Sequence, residues 1–363
     1  MDSLTFKLME QYDYENLFFC QEKSVGLKAI IAIHDTTLGP AAGGTRMWPY
    51  ATEEDAVGDA LRLARAMTYK CAAAGMNFGG GKCVVIADPK RDKTEALLRT
   101  LGRFINRLGG LFVTGVDVGT TVRDMEIMRM ESPYIVTVSE ALGGPGDTAQ
   151  TTALGVVQGI RACLKAIYGS PELQGRSVAV QGVGGVGKDV VERLVKAGAI
   201  VTIADVDQEK VASVAAAHGV RVVPPDEIAQ QAVDVYCPCA LGAVLNDRSI
   251  PELHCKIVCG SANNQLAEER HGDMLEQHGI LYAPDYVVNA GGVLAGIDSF
   301  NPGGFKRLRA EETIARIYET VEKLIALARA QHIPTYRAAD VLAEERIAMV
   351  RQVKSLASGA EKK

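Results

Sequence analysis

Between residues 177 and 282 the chain alternates short β-branched runs with stretches of helical spacing, the signature of a parallel sheet built from βαβ units. Ser177-Val178-Ala179-Val180-Gln181 reads as a strand, Gly187 to Ala197 carries Val190, Val191, Leu194 and Val195 at helical spacing, and Ile200-Val201-Thr202-Ile203-Ala204 reads as the next strand. Further strands are predicted over 233–237, 257–259 and 280–282, each followed by a turn-rich segment of the kind in which open α/β sheets hold ligands. The first 150 residues form a separate α/β layer, with strands predicted around 27–33, 83–86 and 111–114 and helices from Thr52 and Lys93. Glycine and proline interrupt the pattern at Gly143-Gly144-Pro145-Gly146-Asp147, the predicted hinge, before a new helix from Thr151. Helical patterns over about 311–331 and 338–356 end the chain and could pack on either layer.

Length agrees with two domains, because 363 residues exceed the size at which one hydrophobic core usually stops growing. Hydrophobic residues at 47% and charged residues at 23% leave no stretch poor enough in apolar side chains to stay unfolded. A net charge of -5 without a basic run argues against a nucleic-acid or anionic-membrane surface and for a small-molecule partner. No apolar run is long enough to span a bilayer and Met1 to Gln11 does not read as a secretory signal, so a cytoplasmic location is expected. The eight cysteines are scattered, and neither Cys237-Pro238-Cys239 nor the Cys255/Cys259 pair has C-x-x-C spacing. With only six histidines, also scattered, free thiols and no metal site are expected.

Gly182-Val183-Gly184-Gly185-Val186-Gly187 matches G-x-G-x-x-G directly after a strand and at the start of a helix, where a pyrophosphate would meet free N–H groups and the helix dipole. Asp205, at the end of the next strand, is placed to accept hydrogen bonds from ribose hydroxyls and to repel a 2'-phosphate. No arginine follows closely, so NAD is expected rather than NADP. The alternative is an ordinary βα turn with an acidic loop. Gly182 to Lys188 also fits a phosphate loop, but Asp189 stands where magnesium would need Ser or Thr; Gly79-Gly80-Gly81-Lys82 fails in the same way, with Met76 and Cys83 at the wrong places.

Two lysines stand outside any charge run. Lys70 is followed by Cys71-Ala72-Ala73-Ala74, and Lys82 lies between three glycines and the apolar run Cys83-Val84-Val85-Ile86. Such surroundings suggest partial burial, which shifts a lysine pKa and suits catalysis; the alternative for both is a surface lysine. Asp117 closes the apolar run from Val113 and is the best acid/base candidate, with a helix cap before Thr120-Thr121-Val122 as its alternative role.

Taken together, Ile33-His34-Asp35-Thr36-Thr37-Leu38-Gly39-Pro40, Met67-Thr68-Tyr69-Lys70, Gly79-Gly80-Gly81-Lys82, Asp117-Val118-Gly119-Thr120-Thr121, Cys239-Ala240-Leu241-Gly242-Ala243, Gly260-Ser261-Ala262-Asn263-Asn264-Gln265-Leu266 and Pro284-Asp285-Tyr286-Val287-Val288-Asn289-Ala290-Gly291-Gly292 resemble the glutamate/leucine/phenylalanine/valine dehydrogenase family over nearly the whole chain, and its leucine-acting members most. The resemblance implies NAD-dependent, reversible deamination of an apolar L-amino acid to a 2-oxo acid and ammonia. It implies that Lys70 and Asn263 hold the substrate carboxylate, that Lys82 polarises the reacting centre and that Asp117 shuttles protons. Gly43, Gly44 and Met67 would border the substrate, and Ala42, Gly115, Val293 and Gly296 its side chain. Gly182, Gly184, Gly185, Val186, Gly187, Asp205, Cys239, Ala240, Asn263, Thr152 and Asn289 would contact the cofactor, Thr152 near the nicotinamide carboxamide and Asn289 near its ribose. The family architecture is an N-terminal substrate and oligomerisation domain, 1–146 plus C-terminal helices from about 333 to 363, a Rossmann domain over 147–332, a cleft between them, and a homo-oligomer, octameric in the leucine enzymes.

Two positions depart from the family pattern: Val116 where a glutamate commonly precedes the aspartate, and Asp147-Thr148-Ala149-Gln150 in place of a proline-rich hinge. Three of the four side-chain positions being Ala or Gly predicts a roomy pocket and broad apolar specificity, leucine with measurable phenylalanine or methionine activity. The alternatives are an aromatic amino-acid dehydrogenase of the same family, a relative that binds NAD without catalysis, and a 2-hydroxy-acid dehydrogenase. The last would need a catalytic histidine; His34 is the nearest and reads as a packing residue.

Overall fold

The computed structural model describes residues 4–359. Helix starts follow the local chemistry: Thr52 accepts the Asp55 N–H at 3.0 Å and Thr94 the Leu97 N–H at 3.2 Å, so both long helices of the first half begin on a threonine cap. The chain separates into two units, one running to Asp147 and taking in 295–307 and the stretch from Ala343, the other comprising Thr148–Leu294 and Leu308–Leu342.

In chain order the first unit contains α1 (Leu4–Gln11), β1 (Asn16–Glu22), β2 (Leu27–Asp35), β3 (Ala41–Trp48), α2 (Glu53–Ala73), β4 (Gly79–Ile86), α3 (Glu95–Arg107), β5 (Phe112–Val116) and α4 (Val122–Arg129). The strands form one sheet in the order β1-β2-β4-β3-β5, antiparallel from β1 to β4 and parallel across β4, β3 and β5. Period two divides its side chains. Ile31, Ile33, Ala41, Met47, Cys83, Val85 and Phe112 meet Leu97, Leu98, Leu101 and Ile105 of α3 and Met125 and Met128 of α4. On the other face Ile30, Ala32 and Val84 meet the alanine stripe Ala56, Ala60 and Ala64 of α2. By alternation Ala42, Gly44, Arg46, Gly80, Lys82, Val113, Gly115 and Asp117 belong to this second face.

Two strands of this sheet were not expected from the sequence. β3 reads as a turn because Gly43-Gly44 interrupts it, and β1 lies in a segment with no clean alternation. The predicted strand from Cys83 begins earlier, at Gly79, since the three glycines are strand residues. A Cβ at Gly80 would lie 2.1 Å from both the backbone nitrogen and Oγ1 of Thr68, and one at Gly81 would lie 2.9 Å from the Phe112 ring. Glycine here lets α2 and β4 approach backbone to backbone.

The second unit opens with α5 (Ala149–Tyr168), β6 (Ser177–Gln181), α6 (Gly185–Lys196), β7 (Ile200–Ala204), α7 (Gln208–His218), β8 (Arg221–Val222), β9 (Val235–Pro238), β10 (Ile257–Val258), α8 (Arg270–Gln277), β11 (Leu281–Tyr282) and α9 (Asp285–Val288). All six strands are parallel in the order β11-β10-β9-β6-β7-β8, so strand order reverses between β6 and β9, the doubly wound Rossmann arrangement. The chain ends with α10 (Gly291–Asp298), α11 (Arg307–Ala315), α12 (Ile317–Gln331) and α13 (Thr335–Gly359), so the helical pattern predicted over 311–331 is two helices.

Candidate active site

In the first unit the face covered by α2 carries a chain of alternating charges. Lys82, on β4, is 4% exposed, and its Nζ lies 3.2 Å from Oδ2 of Asp117, just past the end of β5. Arg46, on β3 between those strands, donates from Nε to the same Oδ2 at 2.7 Å and from Nη1 to Asp59 on α2 at 2.9 Å. Asp59 also accepts from the Tyr50 hydroxyl at 2.6 Å and from Arg62 at 2.7 Å. Both cations use Oδ2 of Asp117, which leaves Oδ1 available to a substrate.

Burial pushes the Lys82 ammonium below the ordinary lysine value and Arg46 adds to that, against the opposing pull of Asp117. Burial also disfavours the Asp117 carboxylate, but Lys82 and Arg46 outweigh it and hold the group below the usual carboxylate range. The pair therefore combines a lysine that gives up its proton more readily than usual with an aspartate that stays ionised. Asp117 is not a helix cap: Thr121 caps α4, in a capping box with Asp124. Its backbone N–H donates to Thr120 Oγ1 at 3.0 Å, and that hydroxyl donates to the Thr45 carbonyl at 2.9 Å, which fixes the turn after β5.

The small residues of this face have steric causes. A Cβ at Gly44 would lie 2.8 Å from Asp117 Cβ and 3.4 Å from Lys82 Nζ, so any side chain there would intrude on the pair. One at Gly43 would lie 1.7 Å from the Gly81 carbonyl oxygen and 3.4 Å from Met67 Cγ. Met67 and Lys70 are half-buried one turn apart on α2, and Ala42 is buried beside Gly80. Side chains stand close to Gly115 and Gly296: a Cβ at Gly115 would lie 2.7 Å from Thr137 Oγ1 and 3.2 Å from Val136 Cγ2, and one at Gly296 would lie 3.3 Å from Thr137 Cγ2. His34 is a packing residue, with Nδ1 2.8 Å from Thr68 Oγ1 and Nε2 3.1 Å from the Tyr12 carbonyl oxygen.

The second unit holds the glycine fingerprint at the carboxyl end of β6. Gly182 has φ 93°, a turn conformation natural to glycine, and a Cβ at Gly187 would lie 2.0 Å from the Gly182 carbonyl oxygen, so α6 can start this close only on glycine. Gly184 differs: nothing lies within 4 Å of where its Cβ would be, and it opens α6 with Gly185 and Val186 in the first turn. That open, N–H-rich corner fits a pyrophosphate. Asp205 accepts the Val183 N–H at 2.7 Å and the Asp207 N–H at 3.0 Å, which ties this carboxylate to the glycine loop. Cys239 and Ala240 follow β9, where Ala240 Cβ would be 2.7 Å from a Cβ at Gly182. Asn263 is exposed and its Oδ1 accepts from the buried Asn289 Nδ2 at 2.8 Å. Thr152 is held near the start of α5 by its hydroxyl bond to the Thr148 carbonyl at 2.9 Å, and Val293 is half-buried on α10. These groups fit a dinucleotide.

Sequence profiles of the family agree with this geometry: that described as Glu/Leu/Phe/Val dehydrogenase, dimerisation domain, matches residues 18–134, and that described as Glutamate/Leucine/Phenylalanine/Valine dehydrogenase matches 143–208 and 203–354. The chain belongs to the glutamate/leucine/phenylalanine/valine dehydrogenase family. It is 51% identical over 350 residues to a leucine dehydrogenase of Geobacillus stearothermophilus, covering 96% of this chain and 95% of that protein. It is 43% identical over 353 residues to a phenylalanine dehydrogenase of Thermoactinomyces intermedius, covering 97% and 96%. Among solved structures it is similar to an L-tryptophan dehydrogenase from Nostoc punctiforme, with a TM-score of 0.85, 42% identity, and 96% and 100% coverage.

Sequence reasoning singled out Lys82 and Asp117 but not Arg46, Val136 or Thr137. Arg46 could have been found only by reading β3 as a strand, since period two then puts it on the face of Lys82. Its position generates a prediction. Arg46 lowers the pKa of both Lys82 and Asp117, so Arg46→Gln should raise both. The pH profile of kcat/KM for amino-acid oxidation is expected to move toward alkaline pH on both limbs, with Arg46→Lys shifting it less. A Gln variant that loses rate with an unmoved profile would reduce Arg46 to a structural brace.

Proposed function

We propose that this amino-acid dehydrogenase uses NAD to deaminate branched-chain L-amino acids, leucine foremost, releasing ammonia and the 2-oxo acid in a reversible reaction. The observation that carries the reading is the buried Lys82 ammonium paired with an ionised Asp117 on a glycine-lined sheet face. The higher identity to a leucine dehydrogenase than to a phenylalanine dehydrogenase supports a branched aliphatic substrate, as do the Val136 and Thr137 side chains close to Gly115.

Gly182, Gly184, Gly187 and the start of α6 would hold the pyrophosphate, Asp205 the adenosine ribose, and Thr152, Asn263 and Asn289 the nicotinamide end. When bound, the nicotinamide supplies the hydride acceptor. The residues of the chain do the rest. Lys70, half-buried in the last turn of α2, binds the substrate carboxylate. Asp117 takes a proton from the substrate ammonium through its available Oδ1, giving the free amine from which hydride can leave. Lys82, having shed its proton, takes one from the water whose oxygen adds to the iminium carbon. Asp117 returns its proton to nitrogen, and as the C–N bond of the carbinolamine breaks to release ammonia the hydroxyl proton passes to solvent, leaving the ketone. Because burial has eased the Lys82 proton, the lysine can give and recover it within this sequence.

The dimerisation-domain match and the edge strand β1, with Phe19 exposed, support a homo-oligomer, by resemblance an octamer. Eight free cysteines, all buried or half-buried, support a cytoplasmic setting.

Reduced nicotinamide absorbance, followed with a panel of L-amino acids plus NAD and of 2-oxo acids plus NADH and ammonia, tests the activity. Leucine is expected to give the highest kcat/KM; inactivity on every apolar amino acid would refute the proposal. Lys82→Ala and Asp117→Asn should each lower kcat by at least about a hundredfold while NADH still binds, and near-normal turnover in both would sink the mechanism. Lys70→Ala should act mainly on KM.

Asp205→Ser removes the carboxylate that repels a 2'-phosphate and also frees the Val183 N–H. It should lower the preference for NAD over NADP and raise KM for NAD; an undiminished preference in paired kinetics would place discrimination elsewhere.

A further inference from the structure

We infer that Cys237 and Cys239 form a dithiol modification site, which a peroxide converts to an intrachain disulfide that weakens dinucleotide binding at the adjacent glycine loop. The disulfide itself does not depend on the activity proposed above; its effect on binding rests on the NAD reading.

The pair follows from the strand. β9 ends on Cys237-Pro238, and period two puts the side chains of Cys237 and Cys239 on one side of the chain, although their C-x-C spacing is one residue short of the usual redox motif. Their Sγ atoms lie 3.6 Å apart, within hydrogen-bond distance for sulfur. The proline between them fixes one backbone torsion, which limits the ways in which the two thiols can separate. Of the eight cysteines seven are buried and Cys239 is half-buried, so a small solute reaches this pair first. Cys259, just past the neighbouring strand β10, is already engaged, its thiol donating to the Val156 carbonyl at 3.7 Å.

The surroundings give the two sulfurs different roles. A Cβ at Gly187, in the first turn of α6, would lie 3.3 Å from Cys239 Cβ, so Cys239 stands beside the positive end of that helix. The hydrogen bond from the Cys237 thiol pulls Cys239 below the ordinary thiol range against the opposing effect of burial, and the Ser261 hydroxyl and backbone N–H add to the pull. The same contact, with burial, pushes Cys237 up. Cys239 is therefore the thiolate and Cys237 keeps its proton. The Cys239 thiolate attacks one oxygen of hydrogen peroxide, the O–O bond breaks, hydroxide leaves and a sulfenic acid remains. Cys237 sulfur then attacks Cys239 sulfur, the S–O bond breaks, and the departing hydroxide takes the Cys237 proton as water. Two thiols are oxidised by two electrons, and the peroxide is reduced to two waters once the hydroxide meets the proton that Cys239 had given up.

The bond reaches the glycine loop because this segment is wedged against it. The Cys239 N–H donates to the Gln181 carbonyl at 2.7 Å, and a Cβ at Gly182 would lie 2.7 Å from Ala240 Cβ and 2.9 Å from Ala240 nitrogen. Closing the sulfurs to an S–S bond of about 2.05 Å draws Cys239 toward Cys237. Ala240 has to move with it, and the turn at Gly182 that sets the N–H groups for a pyrophosphate moves in turn.

Trypsin releases both residues in one fragment, 222–248, which contains no other cysteine. The full-length protein is treated with a slight molar excess of hydrogen peroxide, then divided between mass spectrometry of that fragment and titration with NADH followed by fluorescence, before and after dithiothreitol. The fragment is expected to become lighter by two hydrogens while the other cysteines stay reduced. The Kd for NADH is expected to rise about tenfold or more, as loss of one hydrogen bond to a charged group typically gives, and to recover with dithiothreitol. In Cys237→Ala, which lacks the second sulfur, the fragment should form no disulfide and should carry a dimedone adduct on Cys239. A fragment that stays reduced in the unchanged protein, or a disulfide that leaves the Kd unmoved, overturns the inference. If the untreated protein binds no NADH, the dinucleotide reading fails and the effect on binding with it, while the mass of the fragment still decides whether the disulfide forms.

Discussion

An ammonium shut into a sheet face forfeits several kcal/mol of hydration, and the first unit is arranged around making that loss tolerable for Lys82. One carboxylate at 3.2 Å supplies the counter-charge, but Asp117 is itself withdrawn from water and needs more than one partner. Arg46 meets that need and hands its remaining charge to Asp59, which is tied to the half-exposed Arg62. Two cations and two anions thus alternate from the buried end toward solvent, without net charge among the inner four. The strand order makes this possible: with β3 between β4 and β5, the three side chains on adjacent strands fall within reach of one carboxylate oxygen. Were Gly44 anything larger, its side chain would wedge between the ammonium and the carboxylate.

Absent side chains do comparable work in both units. Gly79, Gly80 and Gly81 let β4 touch the backbone of its neighbours, which brings Met67 and Lys70 of α2 over the face that carries Lys82. Gly182 and Gly187 let α6 start against β6, and Gly184 leaves the approach to its N–H groups open. Glycine in a strand interior costs roughly 0.5 to 1 kcal/mol relative to alanine, through lost chain entropy and packing. Four such residues on β3 and β4 lie within two positions of Lys82 or on its flanking strand, a local weakness offset by the apolar layers on either side.

The Rossmann unit was legible in the sequence because its signals are local: β-branched runs, a glycine fingerprint at a strand end, and an acid closing the next strand. Each predicted strand there appears within about two residues. The first unit was less legible because its decisive signals are contacts. Gly79 to Gly81 reads as a loop until α2 is seen lying on it, and Gly43-Gly44 hides a strand whose period would have revealed Arg46. Asp117 reads equally well as a helix cap, since the true cap, Thr121, is only four residues away. The surroundings of Gly115 and Gly296 were illegible for the same reason. Glycine at 115 and 296 implies empty space in a sequence, whereas Val136 and Thr137 reach that space from a segment whose path no local pattern predicts.

Backbone strain distinguishes this last feature from ordinary packing. Among the described residues, five that are not glycine have positive φ: Asp13, Thr137, Ala243, Asn264 and His332. His332 ends α12 as a left-handed cap and Asp13 lies between α1 and β1, places where short polar or aromatic residues take this conformation at modest cost. Ala243 and Asn264 belong to the loops after β9 and β10 and lock together through the Ala243 N–H to the Asn264 carbonyl at 2.7 Å, beside the exposed Asn263. Thr137 alone is β-branched, and a residue held this way costs on the order of 1 to 3 kcal/mol. Three of the five positions therefore lie beside groups proposed to meet substrate or dinucleotide: Thr137 next to Gly115, and Ala243 with Asn264 next to Asn263.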